Sequence, residues 1–345
     1  MTGHHTTALI SSELQLISLI EGFDLGVFAS DGTALSGGVQ VLIAGRYRPE
    51  APLAGELHRR GLRVTECHPR NLLGLMRTRQ LAVGDLFGQA ALVAIAYGVA
   101  RRVVMLEDGL ATLPVMNHRL SAASLTRPRL DRAPVVARLT SQRAAQRLQR
   151  LIDTDSLHWV TSCASADLAR QIGSSVNGRV HEHRFDVLRA MPRPTIEAAA
   201  TVRRLVVGSS YATNGLIDPD FYTAWVRDTC MKTPSHTLFV PHPREDATGA
   251  ETAASSGVRV YDTPASVEQI ALQLPHLDEI ACLPSSPVLT LRALGYGEAL
   301  DVVRIPGHRW VSGTPQRFID LVGLVAPSTT RVEPPVATSD SVMEL

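Results

Sequence analysis

Three short segments of this 345-residue chain carry residue types that do chemistry when a fold holds them in place. Glu107-Asp108-Gly109 sets two adjacent carboxylates before a glycine that permits a sharp turn. A carboxylate presented into a crevice can take the proton of an attacking hydroxyl. The same tripeptide also suits a turn in which Asp108 caps the following backbone. In Pro241-His242-Pro243-Arg244-Glu245, prolines fix the backbone on both sides of an imidazole. An imidazole aimed that way can donate to the oxygen of a departing phosphate. His68-Pro69-Arg70 repeats the tripeptide and is read as structural, because it lacks the PHPRE context. The third segment is Ser285-Ser286, followed by Pro287. Its hydroxyls, with the amides of a helix that begins there, suit an anion, and serine suits a helix cap equally well. Ser209-Ser210 stands in a similar position after another strand. Gly37-Gly38 reads as a turn, since no GxGxxG or GxxxxGK[ST] occurs in strand–helix context.

What must position these segments is an alternation of short apolar runs with longer helical patterns, the mark of parallel α/β construction. Strands are expected at 8–10, 39–45, 62–67, 103–106 and 157–162 in the first part of the chain. Helices are expected from about 11 to 20, 53 to 60, 71 to 80 and 83 to 100. The stretch 127–150 is rich in arginine with spaced leucines, and reads as a solvated helix face with a loop broken by Pro128 and Pro134. Pro192, Pro194 and a run of small residues suggest a boundary between 190 and 203. Beyond it, strands are expected at 204–208, 237–240, 258–261, 279–282 and 300–305. Helices are expected at 218–229, at 264–272 behind a Thr263 cap, from 287 through 294, and at 315–322. Each chemical segment directly follows an expected strand, where open α/β sheets bring groups to a ligand. The expected architecture is GT-B, two Rossmann-like domains facing a central cleft. Residues 1–195 would form the first domain, 196–325 the second, and 326–345 a disordered tail.

Composition narrows the function classes. A net charge of +1 supplies no field for nucleic acid, and 5% aromatic residues argue against a stacking platform for single strands. Cys67, Cys163, Cys230 and Cys282 are scattered, with no CxxC pair and no zinc spacing, which fits four reduced thiols and a cytoplasmic setting. The polar stretch 1–7 does not read as a signal peptide, and no apolar run approaches the ~20 residues of a membrane span.

Taken in order, Glu107-Asp108-Gly109, His242-Pro243 and Ser285-Ser286 resemble the acidic-acidic-Gly, His-Pro and Ser-Ser/Thr motifs of bacterial sialyltransferases and polysialyltransferases, glycosyltransferase family 52 and its relatives. The surrounding segments LVVGSSYATNGLIDPDFYTAWV, FVPHPRE, VYDTPASVE and CLPSSPVLTLRALGYG are similar as well. So is the opening ISSELQLISLIEG. The resemblance spans most of residues 8–305. It implies inverting, metal-independent transfer of sialic acid from CMP-sialic acid to a glycan or glycolipid hydroxyl. In that scheme the CMP-sugar is a co-substrate and no cofactor is required. Glu107 or Asp108 would be the general base, with Glu107, the first acid of the motif, favoured and Asp108 in support, and His242 would hydrogen-bond or protonate the leaving phosphate. Ser285 and Ser286 would hold that phosphate, with Gly109, Pro243, Ser209 and Ser210 on the donor side. The setting would be the cytoplasm, with peripheral contact at the inner face of a membrane. Alternatives within the same fold are another CMP-ulosonic acid or a UDP-sugar as donor, and a catalytically inactive binding protein.

Overall fold

The structure is a computed structural model that describes residues 6–29, 39–45, 47–68, 71–116, 125, 135–162, 178–192, 195–197, 199–263 and 265–326. Expectations for Gly37-Gly38, Pro69-Arg70, residues 127–134, Cys163, Pro194 and residues 327–345 lie outside these.

Among the described residues, twelve strands form two fully parallel sheets. The first contains β1 (Thr6–Ile10), β2 (Val39–Ile43), β3 (Arg63–Glu66), β4 (Gln80–Val83), β5 (Arg102–Leu106), β6 (Leu157–Thr161) and β7 (Arg179–Glu182). Its order is β3-β2-β1-β4-β5-β6-β7. The second contains β8 (Arg204–Val207), β9 (Thr237–Val240), β10 (Arg259–Val260), β11 (Glu279–Cys282) and β12 (Leu300–Val302), in the order β10-β9-β8-β11-β12. Each sheet reverses its winding once, between β1 and β4 in the first and between β8 and β11 in the second. At such a reversal the loops leaving adjacent strands diverge and open a crevice at the carboxyl ends.

Both faces of the central strands are covered, so those strands read as apolar runs and not as alternation, whereas the edge strands β3 and β7 are polar and largely exposed. Ala8, Ile10, Val41 and Ile43 enter one core of the first sheet, and Leu9, Leu42, Leu81 and Val83 the other. In the second sheet Leu205 and Val207 face one core and Val206 faces the other. The two halves also share packing. Leu110 and Leu113 reach into a core of the second sheet, while Leu294 packs into a core of the first. The Arg189 guanidinium donates to the Leu294 carbonyl at 2.9 Å.

Several elements differ from the sequence expectation, the short helices Leu113–Met116 and Asp186–Ala190 among them. Residues 71–100 hold helix Leu72–Arg77, strand β4 and helix Gln89–Tyr97, not two helices in succession. β4 is four residues, all buried, so it shows no period of two and merges with the helical patterns beside it. β7 was not expected because RVHE is a polar, largely exposed edge strand. Helix Ala247–Ser255 was not expected because ATGAETAAS lacks an apolar stripe. The helix at Val267–Ala271 is capped by Ser266, not Thr263, in a reciprocal box with Gln269.

Cys67, Cys230 and Cys282 are free thiols. Burial pushes those of Cys230 and Cys282 up to about 11 and about 12, which makes them packing residues. Among the described residues, no helix is long and apolar enough to cross a membrane.

Candidate active site

The carboxyl ends of both sheets open into one cleft of ≈ 900 Å³. From the first half it is lined by Ser11, Ser12 and Glu13 after β1, Asp85 after β4, and Asp108 and Leu110 after β5. From the second half come Ser209 and Ser210 after β8, His242 and Pro243 after β9, and Ser285 and Ser286 after β11. Segments from residues 11 to 287 therefore converge because each sits at a strand end beside a winding reversal.

The acidic pair divides sharply. Glu107 is fully buried. Its Oε2 accepts from the Ser162 N–H at 2.6 Å and from the Thr161 hydroxyl at 3.5 Å, and its Oε1 accepts from the Ser162 hydroxyl at 2.8 Å. The His183 Nε2 lies 3.1 Å from Oε2. Burial works to raise the carboxyl's pKa, but the hydrogen bond and charge of His183, with the two Ser162 bonds, outweigh it. The net effect holds Glu107 below the ordinary carboxylate value. A base for an acceptor hydroxyl must be within that hydroxyl's reach, and Glu107 is not. Burial thus places Glu107, the acid favoured as base from the sequence, beneath the cleft and away from its lining. Asp108 is the half-buried acid on the cleft wall.

Asp108 is oriented from beneath. The Gln15 amide donates to its Oδ1 at 2.8 Å, and the Ser12 hydroxyl donates to the same oxygen at 3.4 Å. Gln15 is itself buried and also accepts from the Ser11 N–H at 2.8 Å. The Asp108 N–H donates to the Thr112 hydroxyl at 2.8 Å. The turn closes at Gly109, whose φ is +61° and whose missing Cβ would lie 2.4 Å from the Ser286 Oγ. Both the left-handed backbone and the close approach require glycine there. Next to it the Leu110 N–H donates to the Ser286 hydroxyl at 3.2 Å, so the acidic turn of one half rests on the serine pair of the other.

On the opposite wall, the Arg244 N–H donates to His242 Nδ1 at 3.0 Å. With Nδ1 an acceptor, Nε2 is the protonated nitrogen of the neutral ring and its donor. Ser285 stands in an extended conformation before helix Ser286–Leu291, and its hydroxyl donates to the Leu283 carbonyl at 3.0 Å. That helix continues only as a π turn, Arg292–Tyr296, with Gly295 at φ 99°. The anion-holding capacity of this corner accordingly rests on hydroxyls more than on a long helix. Ser209 and Ser210 are buried at the cleft floor. His68 is exposed and does not line the cleft.

Four residues of the site escaped the sequence reading. Glu13 and Glu268 line the cleft from opposite halves. Burial, then the like charges of Glu268 and Glu50, push Glu13 up to about 7, and its Oε1 is buried without a partner. Glu268 is pushed up by burial and accepts from the Thr290 hydroxyl. Gln15 carried a faint signal as a polar residue on the inner face of an apolar helix. Glu245 was visible in PHPRE, but nothing local gave it a role. Among the described residues no group of three or more His, Cys, Asp or Glu side chains has a metal-binding arrangement.

No family model matches the chain, and no curated protein matches it. Solved structures do. An α/β-galactoside α-2,3-sialyltransferase from the luminous marine bacterium Photobacterium phosphoreum aligns with a TM-score of 0.53 at 10% identity, covering 92% of this chain and 95% of that one. The fold is GT-B. UGT2 of Phytolacca americana, complexed with UDP-2fluoro-glucose and pterostilbene, aligns at 0.46 with 9% identity over 92% and 82% of the two chains. The E. coli heptosyltransferase WaaC with ADP-2-deoxy-2-fluoro heptose aligns at 0.40 with 12% identity over 91% and 98%.

Proposed function

We propose that this protein is a glycosyltransferase that moves sialic acid from CMP-sialic acid to a hydroxyl of a glycan or glycolipid acceptor, with inversion and without a metal. One observation carries the reading: Asp108 and the His242, Ser285 and Ser286 group line a single cleft from opposite halves of the molecule.

The chemistry follows from that placement. Asp108 takes the proton of the acceptor hydroxyl as its oxygen bonds to the anomeric carbon. The bond from that carbon to the CMP phosphate oxygen breaks on the other side, so the configuration inverts. His242 Nε2 donates to the departing phosphate, and the Ser285 and Ser286 hydroxyls hold it, with Ser209, Ser210, Gly109 and Pro243 around the donor. These donors stabilise a single leaving phosphate by hydrogen bonds, without a divalent ion. Glu107 stays ionised beneath the acidic turn, where it ties the end of β5 to Thr161 and Ser162 at the end of β6. The setting is the cytoplasm, where a lipid-linked acceptor would be met at the inner face of the membrane.

The test is a donor panel. CMP-, UDP- and GDP-linked sugars are screened by thermal shift, since a ligand that binds the folded state raises its melting temperature. CMP-sialic acid is then assayed for transfer and hydrolysis with the wild type and His242→Ala. Stabilisation by CMP compounds alone and loss of turnover in the variant are expected. Preferential binding of UDP-sugars would assign a different donor. CMP binding without turnover would make the protein a binding module.

A further inference from the structure

We propose that Glu245 is a positioning residue that locks the two donor-side loops together, setting His242 and the Ser209 backbone with one carboxylate. This rests on the reading of His242 as the group that meets the departing phosphate.

Glu245 closes its own loop first. Its N–H donates to the His242 carbonyl at 2.8 Å, and its Oε2 accepts from the His242 N–H at 3.0 Å. With the Arg244 N–H on His242 Nδ1, every turn of this short loop bears on the orientation of the imidazole. The other oxygen reaches a different loop. Oε1 accepts from the hydroxyl of Tyr222, a buried residue of helix Pro219–Met231. That hydroxyl in turn accepts from the Ser209 N–H at 3.0 Å. One carboxylate therefore connects the loop after β9 with the loop after β8.

Two glycines make room for it. A Cβ on Gly208 would lie 2.2 Å from Glu245 Oε2, and one on Gly249 would lie 1.8 Å from Oε1. Neither glycine has the left-handed backbone that would otherwise explain it. Gly249 sits inside helix Ala247–Ser255, where glycine costs about 1 kcal/mol relative to alanine. At Gly208 the His242 backbone N, 2.9 Å from such a Cβ, crowds the position together with the carboxylate, and at Gly249 the Tyr222 hydroxyl does so at 2.9 Å, so both glycines let these partners close on Glu245.

The tie depends on ionisation. As a carboxylate, Glu245 accepts from both the Tyr222 hydroxyl and the His242 N–H. A neutral carboxyl makes one oxygen a donor and sets it against the Tyr222 O–H unless that hydroxyl turns away. Burial pushes Glu245 up to about 7. The Tyr222 and His242 hydrogen bonds pull it down, and the neighbouring charge of Asp246 pushes it up further. The lock is therefore complete above about pH 7 and loosens below it.

The test uses CMP as the probe, with its affinity measured by calorimetry at pH 6 and pH 8 for the wild type, Glu245→Gln, Tyr222→Phe and His242→Ala. Wild-type affinity should fall by about tenfold at pH 6, the worth of one charge-assisted hydrogen bond. Glu245→Gln should bind weakly at both values, keeping only the pH dependence that the second ionisation of the CMP phosphate gives. Tyr222→Phe should bind less tightly at pH 8, because Ser209 loses its acceptor while His242 keeps Glu245. Melting curves for each protein establish that it is folded. Should Glu245→Gln not fold, Tyr222→Phe decides, and unchanged affinity in it overturns the proposal. Equal pH dependence in the wild type and Glu245→Gln overturns the positioning role alone. Absence of CMP binding by the wild type at both pH values overturns the donor assignment as well.

Discussion

The two walls of the cleft each stand on a carboxylate, fully buried at Glu107 and half-buried at Glu245, and the two behave oppositely. Glu107 lies under the acidic wall beside His183, and its pKa is held below the ordinary value. Glu245 lies under the imidazole wall, bonded to Tyr222 and the His242 N–H, and is pushed up to about 7. Burial acts in the same direction on both. What differs is the set of partners, since His183 and the two Ser162 bonds together outweigh desolvation at Glu107, while the Tyr222 and His242 bonds do not outweigh it at Glu245. The acidic wall is thus held ionised and rigid throughout the physiological range, while the donor wall carries a group that titrates within it.

The largest expected difference separates Asp108 from its neighbour. Asp108→Asn should lower kcat by ~10²–10⁴-fold, the usual worth of a general base, with a near-wild-type melting curve, because the side chain is half-exposed on the cleft wall. Glu107→Ala should instead lower stability by about 3–5 kcal/mol, as expected when one member of a buried pair is removed. Chemical denaturation and single-turnover kinetics on the same two proteins separate these outcomes. A stable, inactive Glu107→Ala would return the base to Glu107.

A smaller effect distinguishes these two acids by sign. The folded-state pKa of Glu107 lies below its ordinary 4.5, so the stability it contributes is present above that value and lost as pH falls through the folded pKa. The folded-state pKa of Glu245 is about 7, so its contribution is complete below 4.5 and is lost as pH rises through 7. The melting-temperature difference between Glu107→Gln and the wild type should therefore become more negative as pH rises from acid toward 5. For Glu245→Gln it should become more positive from pH 5 to pH 8. Parallel slopes for the two variants would remove the contrast.

Much of the fold was legible because strands such as Thr237–Val240 and Glu279–Cys282 are apolar runs set off by polar turns. β4 was not, since a fully buried four-residue strand between helices carries no period of its own. The site was legible as far as its motifs: Asp108, His242, Ser285 and Ser286 all reach the cleft. Which of two adjacent acids faces the cleft was not, because that depends on Ser162 and His183, more than fifty residues away in the chain. Glu245 shows the same limit. Its role is defined by Tyr222, Gly208 and Gly249, and only the folded chain brings them together.

The central claim concerns where a donor phosphate sits, and a crystal structure of the protein soaked with CMP tests it most directly. The phosphate should contact the Ser285 and Ser286 hydroxyls with His242 Nε2 in hydrogen-bond reach and Asp108 across the open space. A CMP bound elsewhere, or a phosphate in the cleft with His242 turned away from it, would contradict the account.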